Sequence, residues 1–216
     1  MAETLCPLCS GADTTPFSED RQRPYRRCGR CALVFVPPPW RLSAQAERAE
    51  YDLHRNCVDD PGYRRFLGRL AEPLLAALPP AQRGLDFGCG PGPALAAMLR
   101  EAGHRVDLYD PFYAPDPAAL ARRQRDFITA TEVVEHLYRP GLELARLWAR
   151  LRPGGVLGIM TKHVRDREAF DRWHYRNDPT HVCFFSRDSW RWWAGGRRAQ
   201  LVFVADDALL IHKPGG

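Results

Sequence analysis

Apolar residues follow two different spacings in the second half of the chain, and the alternation of these spacings predicts the elements there. Short continuous apolar runs are typical of buried strands, whereas apolar positions three and four residues apart are typical of helices. The runs predict a strand at 84–87, a helix at 93–102, strands at 105–109 and 126–130, a helix at 142–151 and a strand at 156–161. Strands that alternate with helices indicate a parallel, doubly wound α/β sheet.

The last two apolar runs of the chain have a different connection. Residues 200–205 and 208–212 are separated only by Asp206 and Asp207. A linker of two residues is too short for a crossover helix and fits a hairpin. The sheet is therefore predicted to end in two antiparallel strands.

The first part of the chain divides at a run of prolines. Pro37, Pro38 and Pro39 interrupt both strands and helices and mark a boundary. Helical spacing predicts helices at 43–51 and 61–78. We therefore predict a small module at 1–38, a helical linker at 39–83 and an α/β domain at 84–216.

The bulk composition is that of an ordinary globular protein. A chain of 216 residues with 45% hydrophobic content can bury one sizeable core. Its net charge of +5 permits acidic or nucleic-acid partners without requiring them. The N-terminus resembles no targeting signal, and no apolar stretch approaches the roughly 18 residues of a membrane span. We expect a cytoplasmic protein that does not cross a membrane.

Four cysteines in the N-terminal module have the spacing of a metal site. Cys6, Cys9, Cys28 and Cys31 form C-x2-C-x18-C-x2-C, in which Gly29 eases the second tight turn. Two such pairs can close a tetrahedron of thiolates around zinc. A module this small buries too little apolar surface to fold alone, so the bound metal would supply folding free energy. The alternatives are disulfides, which a cytoplasmic chain disfavours, and unpaired thiols.

The strand at 84–87 runs into a glycine-rich turn that can approach a small ligand. Gly88, Gly90 and Gly92 leave the backbone open where side chains would block a ligand. Asp110 ends the next strand, where a carboxylate can accept both hydroxyls of a ribose. Prolines in and after the turn leave few N–H groups for a pyrophosphate. The pattern predicts a nucleoside cofactor without phosphates.

These motifs together resemble the class I S-adenosylmethionine-dependent methyltransferases, in the branch of small bacterial enzymes that carry an N-terminal zinc ribbon. The resemblance covers most of residues 84–216. It implies a Rossmann-like methyltransferase sheet that ends in an antiparallel hairpin and is preceded by a small zinc ribbon. The segments that carry it are LDFGCGPG at 85–92, LYDP at 108–111, DFITATEVVEHL at 126–137, LRPGGVLGIMT at 151–161 and the terminal hairpin.

The resemblance also implies which residues bind the cofactor. By position, Asp110 would hold the ribose, while Thr131 and Glu132 would face the transferring methyl group. Pro111 and Phe112 follow the ribose-binding position, and Phe112 or Tyr113 can either stack on the adenine or pack against a neighbouring helix. The residues expected to hold the methionine part of the cofactor are Asp86, Gly88, Gly90 and Gly92.

One segment departs from the family pattern. Only fifteen residues separate Asp110 from Asp126, where the family commonly has a helix, a strand and a second helix. The third strand is therefore expected to be vestigial or absent. The adenine-binding residues of the family cannot be transferred to this chain.

Two polar segments follow the fourth and fifth predicted strands and are candidates for the acceptor site. They span residues 132–136 and 173–181. A hydroxyl or amine acceptor must lose a proton during methyl transfer, and His136 and His181 are the candidate bases. Each also has a structural interpretation, since His136 would open a helix and His181 would lie at the junction of a loop with the core.

The arginines of the N-terminal module are compatible with more than one class of methyl acceptor. Its arginines can bind phosphate, or they can form a solvated or domain-docking face. The favoured function is methyl transfer to an O, N or C centre of a small, possibly sugar-like molecule. The alternatives are an RNA methyltransferase that uses the ribbon to hold RNA, and a catalytically silent cofactor-binding or interaction protein. The arginines concerned are Arg21, Arg23, Arg26, Arg27 and Arg30.

Overall fold

The computed structural model describes residues 4–53 and 57–216. Residues 1–3 of the predicted zinc ribbon and residues 54–56 of the predicted linker lie outside the described residues. The strands are β1 (Thr14–Glu19), β2 (Pro24–Cys28), β3 (Val34–Phe35), β4 (Arg83–Phe87), β5 (Arg105–Tyr109), β6 (Arg125–Thr131), β7 (Leu151–Met160), β8 (Cys183–Phe184), β9 (Gln200–Phe203) and β10 (Ala208–His212). The α-helices are α1 (Ala44–Tyr51), α2 (Pro61–Ala77), α3 (Ala94–Glu101), α4 (Pro117–Ala121), α5 (Pro140–Arg150), α6 (Arg167–Asp171) and α7 (Arg187–Gly195).

A six-stranded mixed sheet forms the centre of the molecule, in the order β5-β4-β6-β7-β10-β9. The first four of these strands are parallel, and β10 runs antiparallel to both β7 and β9. This arrangement confirms the predicted Rossmann-like α/β sheet with its terminal hairpin. The carboxyl ends of β4, β5, β6 and β7 therefore meet at one edge, where such sheets bind ligands.

The parallel part of the sheet is short by one strand, as the spacing predicts. The segment between β5 and β6 is described throughout, and it contains the short helix α4 and no strand. As a result, β5 is the edge strand of the sheet.

The two faces of the sheet bury separate hydrophobic cores. Helices α2 and α3 cover one face, where Leu70 and Leu99 are fully buried with Phe127. The other face is covered by α5, α7 and the N-terminal module, with Tyr25 and Trp190 fully buried. None of the helices within 4–53 and 57–216 combines the length and the apolar character that a bilayer span requires.

The N-terminal module is joined to the rest of the chain by a second, four-stranded sheet. Its order is β1-β2-β3-β8, so a strand that follows β7 in the sequence completes it. Sequence periodicity cannot detect β8, because Cys183 and Phe184 are its only residues. The predicted divisions at residues 38 and 83 remain predictions, but the module and the α/β domain share one core.

Arg23 ties the N-terminal module to the segment that carries His181. Although it belongs to the arginine-rich run, it is only 5% exposed. Its guanidinium donates hydrogen bonds to the backbone carbonyls of Arg176, Asp178 and Pro179, at 2.7 to 2.9 Å. A planar guanidinium can bind several carbonyls at once, so this arginine fixes the backbone of the segment. Of the interpretations offered for the arginine-rich run, a domain-docking face is the one that fits Arg23.

Candidate functional site

The glycine-rich turn lies at the end of β4 and leaves space beside its backbone. Gly88 and Gly90 have φ of 73° and 62°, a conformation that side chains disfavour. A Cβ atom on Gly88 would overlap the side chain of Val133, whereas one on Gly90 would meet nothing within 4 Å. Gly92 precedes α3, and its carbonyl accepts a hydrogen bond from Ala94. The turn therefore requires glycine at position 88 for packing and at 90 for its backbone, next to open space.

Asp110 lies beside this turn at the end of β5. It is 7% exposed, and its Oδ2 accepts a hydrogen bond of 3.0 Å from the backbone N–H of Gly90. Its Oδ1 accepts from the N–H groups of Phe112 and Tyr113, at 2.8 and 3.1 Å. The carboxylate thus shapes the glycine turn and the loop that begins at Pro111. Sequence position alone does not reveal this bracing role.

Asp86 lies beneath the turn and is almost completely buried. It is 2% exposed, and Thr129 donates a hydrogen bond of 2.7 Å to its Oδ1. Burial raises the pKa of Asp86 to about 6, against the opposing effect of the hydrogen bond from Thr129. The side chain therefore supports the strand end, and its charge changes near neutral pH.

Helix α1 brings one aromatic side chain, that of Tyr51, over the loop after Asp110. The ring of Tyr51 lies 5.7 Å from that of Phe112 and 5.2 Å from the imidazole of His136. The Tyr113 hydroxyl donates a hydrogen bond of 2.8 Å to Asp52, directly after this helix. Phe112 and Tyr113 thus make the packing contacts that one of their two interpretations expects. Tyr51 was missed by the sequence analysis and connects the loop after β5 with His136.

Glu132 directly follows β6 in an unusual backbone conformation. Its φ is 52°, and such a value in a residue other than glycine is often associated with functional sites. Burial, together with the neighbouring Glu135 carboxylate, raises the pKa of Glu132 to about 9. Its Oε1 is buried and has no hydrogen-bond partner among the described residues. Thr131 is the last residue of β6, so the two predicted methyl-facing residues are adjacent at this edge of the sheet.

The two predicted acceptor segments converge. The imidazoles of His136 and His181 lie 4.7 Å apart, measured between ring centroids. Val182 and Cys183 donate backbone hydrogen bonds of 2.8 and 2.9 Å to the carbonyl of Glu135. These bonds fix the two segments against each other. His136 lies in a turn before α5, so the expectation that it opens a helix was wrong, because Pro140 starts that helix.

Tyr175 connects the carboxylates of this region. Its hydroxyl donates a hydrogen bond of 2.5 Å to Oε1 of Glu135 and lies 3.4 Å from Oε2 of Glu132. Burial and the two carboxylates raise its pKa well above the ordinary value for tyrosine. Burial also raises the pKa of Glu135, which is completely inaccessible to solvent. Tyr175 is thus a neutral hydrogen-bond donor in a network of buried carboxyl groups.

A solvent-open cleft of about 760 Å³ lies between the N-terminal module and the α/β domain. Its lining includes Phe17 and Arg27 from the module, and Lys162 and Arg165 from the segment after β7. The Lys162 ammonium lies 5.2 Å from the centre of the Tyr175 ring. Lys162 thus links this cleft to Tyr175, while the predicted cofactor-binding residues and the imidazoles of His136 and His181 lie outside its lining. Its volume is within the range of small-molecule sites.

The four predicted zinc ligands lie together in the structure. The Sγ atoms of Cys6 and Cys31 are 3.5 Å apart, as are those of Cys9 and Cys28. A tetrahedral zinc with bonds of about 2.3 Å would place its sulfurs about 3.8 Å apart. The described cysteines form no disulfide. The cluster therefore has the dimensions and donor set of a four-cysteine zinc site.

Each turn of the cysteine cluster is followed by a residue with left-handed backbone. These residues are Ser10 and Ala32, with φ of 56° and 57°. Gly29 is not left-handed, so it eases this turn by its missing side chain and not by an unusual backbone conformation. It is needed because a Cβ there would overlap the side chain of Asp13. The cluster also packs against the α/β domain, because Gly141 in α5 closely approaches the backbone of Leu8.

The chain is a class I S-adenosylmethionine-dependent methyltransferase. Residues 61–204 match a family described as a methyltransferase domain, and the chain belongs to that family. No curated protein matches the sequence.

Solved structures of methyltransferases resemble this fold at low sequence identity. One is the 1,6-didemethyltoxoflavin-N1-methyltransferase of Burkholderia thailandensis with bound 1,6-didemethyltoxoflavin and S-adenosylhomocysteine, at 20% identity over 92% of this chain and 99% of that chain, with a TM-score of 0.48. Another is an O-methyltransferase family protein of the same organism, at 15% identity over 79% of this chain and 63% of that chain, with a TM-score of 0.51.

Proposed function

We propose that this methyltransferase transfers the methyl group of S-adenosylmethionine to an O, N or C centre of a small-molecule acceptor, at the point where residues 132–136 and 173–181 converge. The observation that carries this proposal is the 4.7 Å approach of His136 and His181 beside the end of β6. In the reaction, an electron pair of the acceptor atom forms a bond to the methyl carbon. The bond from carbon to sulfur breaks, and its electron pair stays on sulfur, which gives S-adenosylhomocysteine.

The cofactor is assigned to the open side of the glycine turn. The methionine part would lie along Gly88, Gly90 and Gly92 above the buried Asp86, and the ribose would reach Asp110. Pro111 and Phe112 would border the adenosine, and Thr131 with Glu132 would face the methyl group. The empty space next to Gly90 and the nearby carboxylate of Asp110 support this placement.

His136 and His181 are proposed to activate the acceptor. Nδ1 of His181 lies 2.7 Å from the carbonyl oxygen of Tyr175, and this oxygen can only accept a hydrogen bond. Nδ1 therefore carries a proton, and the other ring nitrogen, Nε2, lies 3.6 Å from Oδ2 of Asp178. For a hydroxyl or amine acceptor, such a nitrogen can take the proton that methyl transfer releases.

We also propose that the cysteine cluster holds one structural zinc. Cys6, Cys9, Cys28 and Cys31 supply four thiolates, which satisfy a tetrahedral ion and leave no open position for a reactant. The zinc would fix the two cysteine turns and so the position of β2 and β3. Because Arg23 belongs to this module and holds the His181 segment, the metal would also support the acceptor site indirectly.

A small acceptor is favoured over RNA by the positions of the arginines. Arg23 is buried against the His181 segment, and Arg26 donates hydrogen bonds to Thr14. Only part of the basic run is therefore available to phosphates, and the adjoining cleft has the volume of a small-molecule site.

A labelling experiment distinguishes a small-molecule acceptor from an RNA acceptor. The protein is incubated with S-adenosylmethionine labelled in its methyl group, and with either a metabolite pool or total RNA. Label in the metabolite fraction supports the proposal, and label in RNA alone contradicts it.

Substitution of Gly90 by alanine tests the cofactor site against a matched control. We expect Gly90→Ala to weaken S-adenosylhomocysteine binding roughly tenfold or more, because the new methyl group enters the space assigned to the cofactor. Gly103→Ala is the control: its φ is 89° and nothing lies within 4 Å of its Cβ position, so it introduces similar strain away from the site. The measurement is isothermal titration calorimetry. Equal affinities in the two variants would contradict the assignment.

A further inference from the structure

Three side chains at the convergence of the acceptor segments form a cluster suited to a metal ion. One nitrogen each of His136 and His181 and one carboxylate oxygen of Glu135 all lie within 4.8 Å of one another. A cation with bonds of about 2.1 Å holds its ligands about 3 to 4.2 Å apart. Small side-chain adjustments would therefore close the three atoms around an ion.

Glu135 has one oxygen available for such an ion. Its Oε1 accepts the short hydrogen bond from the Tyr175 hydroxyl. Its Oε2 is buried and has no hydrogen-bond partner among the described residues. A buried carboxylate oxygen without a partner is costly unless a further group binds there. The carboxyl group is completely inaccessible to solvent, so its orientation is fixed by packing.

His181 is oriented in the way that metal-binding histidines commonly are. Its Nδ1 lies 2.7 Å from the carbonyl oxygen of Tyr175, which leaves Nε2 as the nitrogen that can bind a metal, 3.6 Å from Oδ2 of Asp178. Metal ligands are typically held by such an outer hydrogen bond from the other ring nitrogen to a carbonyl or carboxylate. The same tyrosine therefore positions two of the three candidate ligands, Glu135 through its hydroxyl and His181 through its carbonyl.

We propose that Glu135, His136 and His181 bind one divalent transition-metal cation, which takes a hydroxyl oxygen of the acceptor as a further ligand. Two imidazoles and one carboxylate suit Mn²⁺, Fe²⁺ or Zn²⁺, and three protein ligands leave positions open on the ion. The inference rests on the proposed function and specifies the acceptor as an oxygen nucleophile. The two imidazoles then act on the acceptor through the ion instead of taking its proton directly.

The cation would activate the acceptor hydroxyl for methyl transfer. Bound to the metal, the acceptor hydroxyl loses its proton to water more readily, because the ion stabilises the oxyanion. The oxygen lone pair then forms a bond to the methyl carbon while the bond from carbon to sulfur breaks. The products are the methyl ether and S-adenosylhomocysteine, and the metal does not change its oxidation state.

Titration of the full chain with Mn²⁺, followed by the electron paramagnetic resonance signal of the free ion, tests the proposal. Mn²⁺ is chosen because it prefers oxygen and nitrogen ligands, so it does not compete for the thiolate cluster. We expect the wild-type protein to bind one equivalent. Glu135→Gln and His181→Gln should each lower the Mn²⁺ affinity roughly tenfold or more. The control His212→Gln removes an imidazole at the end of β10, outside both acceptor segments, and should bind like wild type.

Calorimetry with S-adenosylhomocysteine on the same proteins separates this proposal from the proposed function. Unchanged cofactor affinity in Glu135→Gln and His181→Gln would show that the variants fold and that only the cation site is lost. If the wild-type protein binds the cofactor but no Mn²⁺, the proposed metal site is wrong. The acceptor proton would then pass directly to an imidazole. Equal Mn²⁺ binding in wild type and both variants overturns the ligand assignment. Failure of every protein to bind the cofactor would instead contradict the proposed function.

Discussion

A Cys28→Ser, Cys31→Ser double variant is expected to contain one zinc less per chain than the wild type and to lose most of its thermal stability. Zinc binding to structural thiolate sites supplies on the order of 10 kcal/mol of folding free energy. The module around the cluster cannot replace this by its own core. Its strands β2 and β3 share a core with Phe184 and Trp190, so the loss should reach the α/β domain. Metal analysis and thermal unfolding measure the two effects.

The matched control for this variant is Cys57→Ser, which replaces an exposed cysteine outside the cluster. It should keep the zinc content and the unfolding temperature of the wild type. A double variant with unchanged zinc content would place the metal elsewhere. A double variant without zinc but with wild-type stability would show that the metal has no structural role.

His136→Gln and His181→Gln are each expected to lower methyl transfer by ~10²–10⁴ while cofactor affinity stays near that of the wild type. Glutamine has a similar size to histidine but does not accept a proton near neutral pH, and it is a poor metal ligand. The prediction therefore holds whether the imidazoles act directly or through a cation. Turnover is measured with the acceptor fraction that gains label, and affinity with S-adenosylhomocysteine.

His212→Gln serves as the control for the histidine variants, since it lies at the end of β10, opposite Val156 and outside both acceptor segments. It should retain most of the wild-type turnover. If His136 and His181 are structural instead, their variants should lose stability and cofactor binding together. Wild-type turnover in both variants would contradict a role of the imidazoles in activating the acceptor. This region would then only align the acceptor with the methyl group.

The regular elements of the sheet could be predicted from the sequence because each has a clear local pattern. The bounds of β5 and β10 agree with the apolar runs at 105–109 and 208–212. The missing strand after Asp110 was also evident, because fifteen residues cannot hold a helix, a strand and a second helix. The spacing of the cysteines likewise predicted that four sulfurs would come together.

Features that depend on distant contacts could not be predicted in this way. β8 consists of Cys183 and Phe184 and exists only because it pairs with β3. The role of Arg23 depends on carbonyls more than 150 residues later in the chain, so the arginine-rich run looked uniform in the sequence. Tyr51 contacts His136 from a distant part of the sequence, and no motif marks it. Glu135 was part of a recognised segment, but its buried carboxyl group and its tyrosine partner became visible only in three dimensions.

The most direct test of the central claim is a crystal structure of the protein with S-adenosylhomocysteine. The sulfur of the product marks where the methyl group leaves. We expect the methionine part along Gly88 and Gly90, the ribose at Asp110, and the sulfur within about 10 Å of the imidazoles of His136 and His181, a distance that an acceptor or one water can bridge. A cofactor bound elsewhere, or a sulfur farther than this from both imidazoles, would contradict the proposed site of methyl transfer.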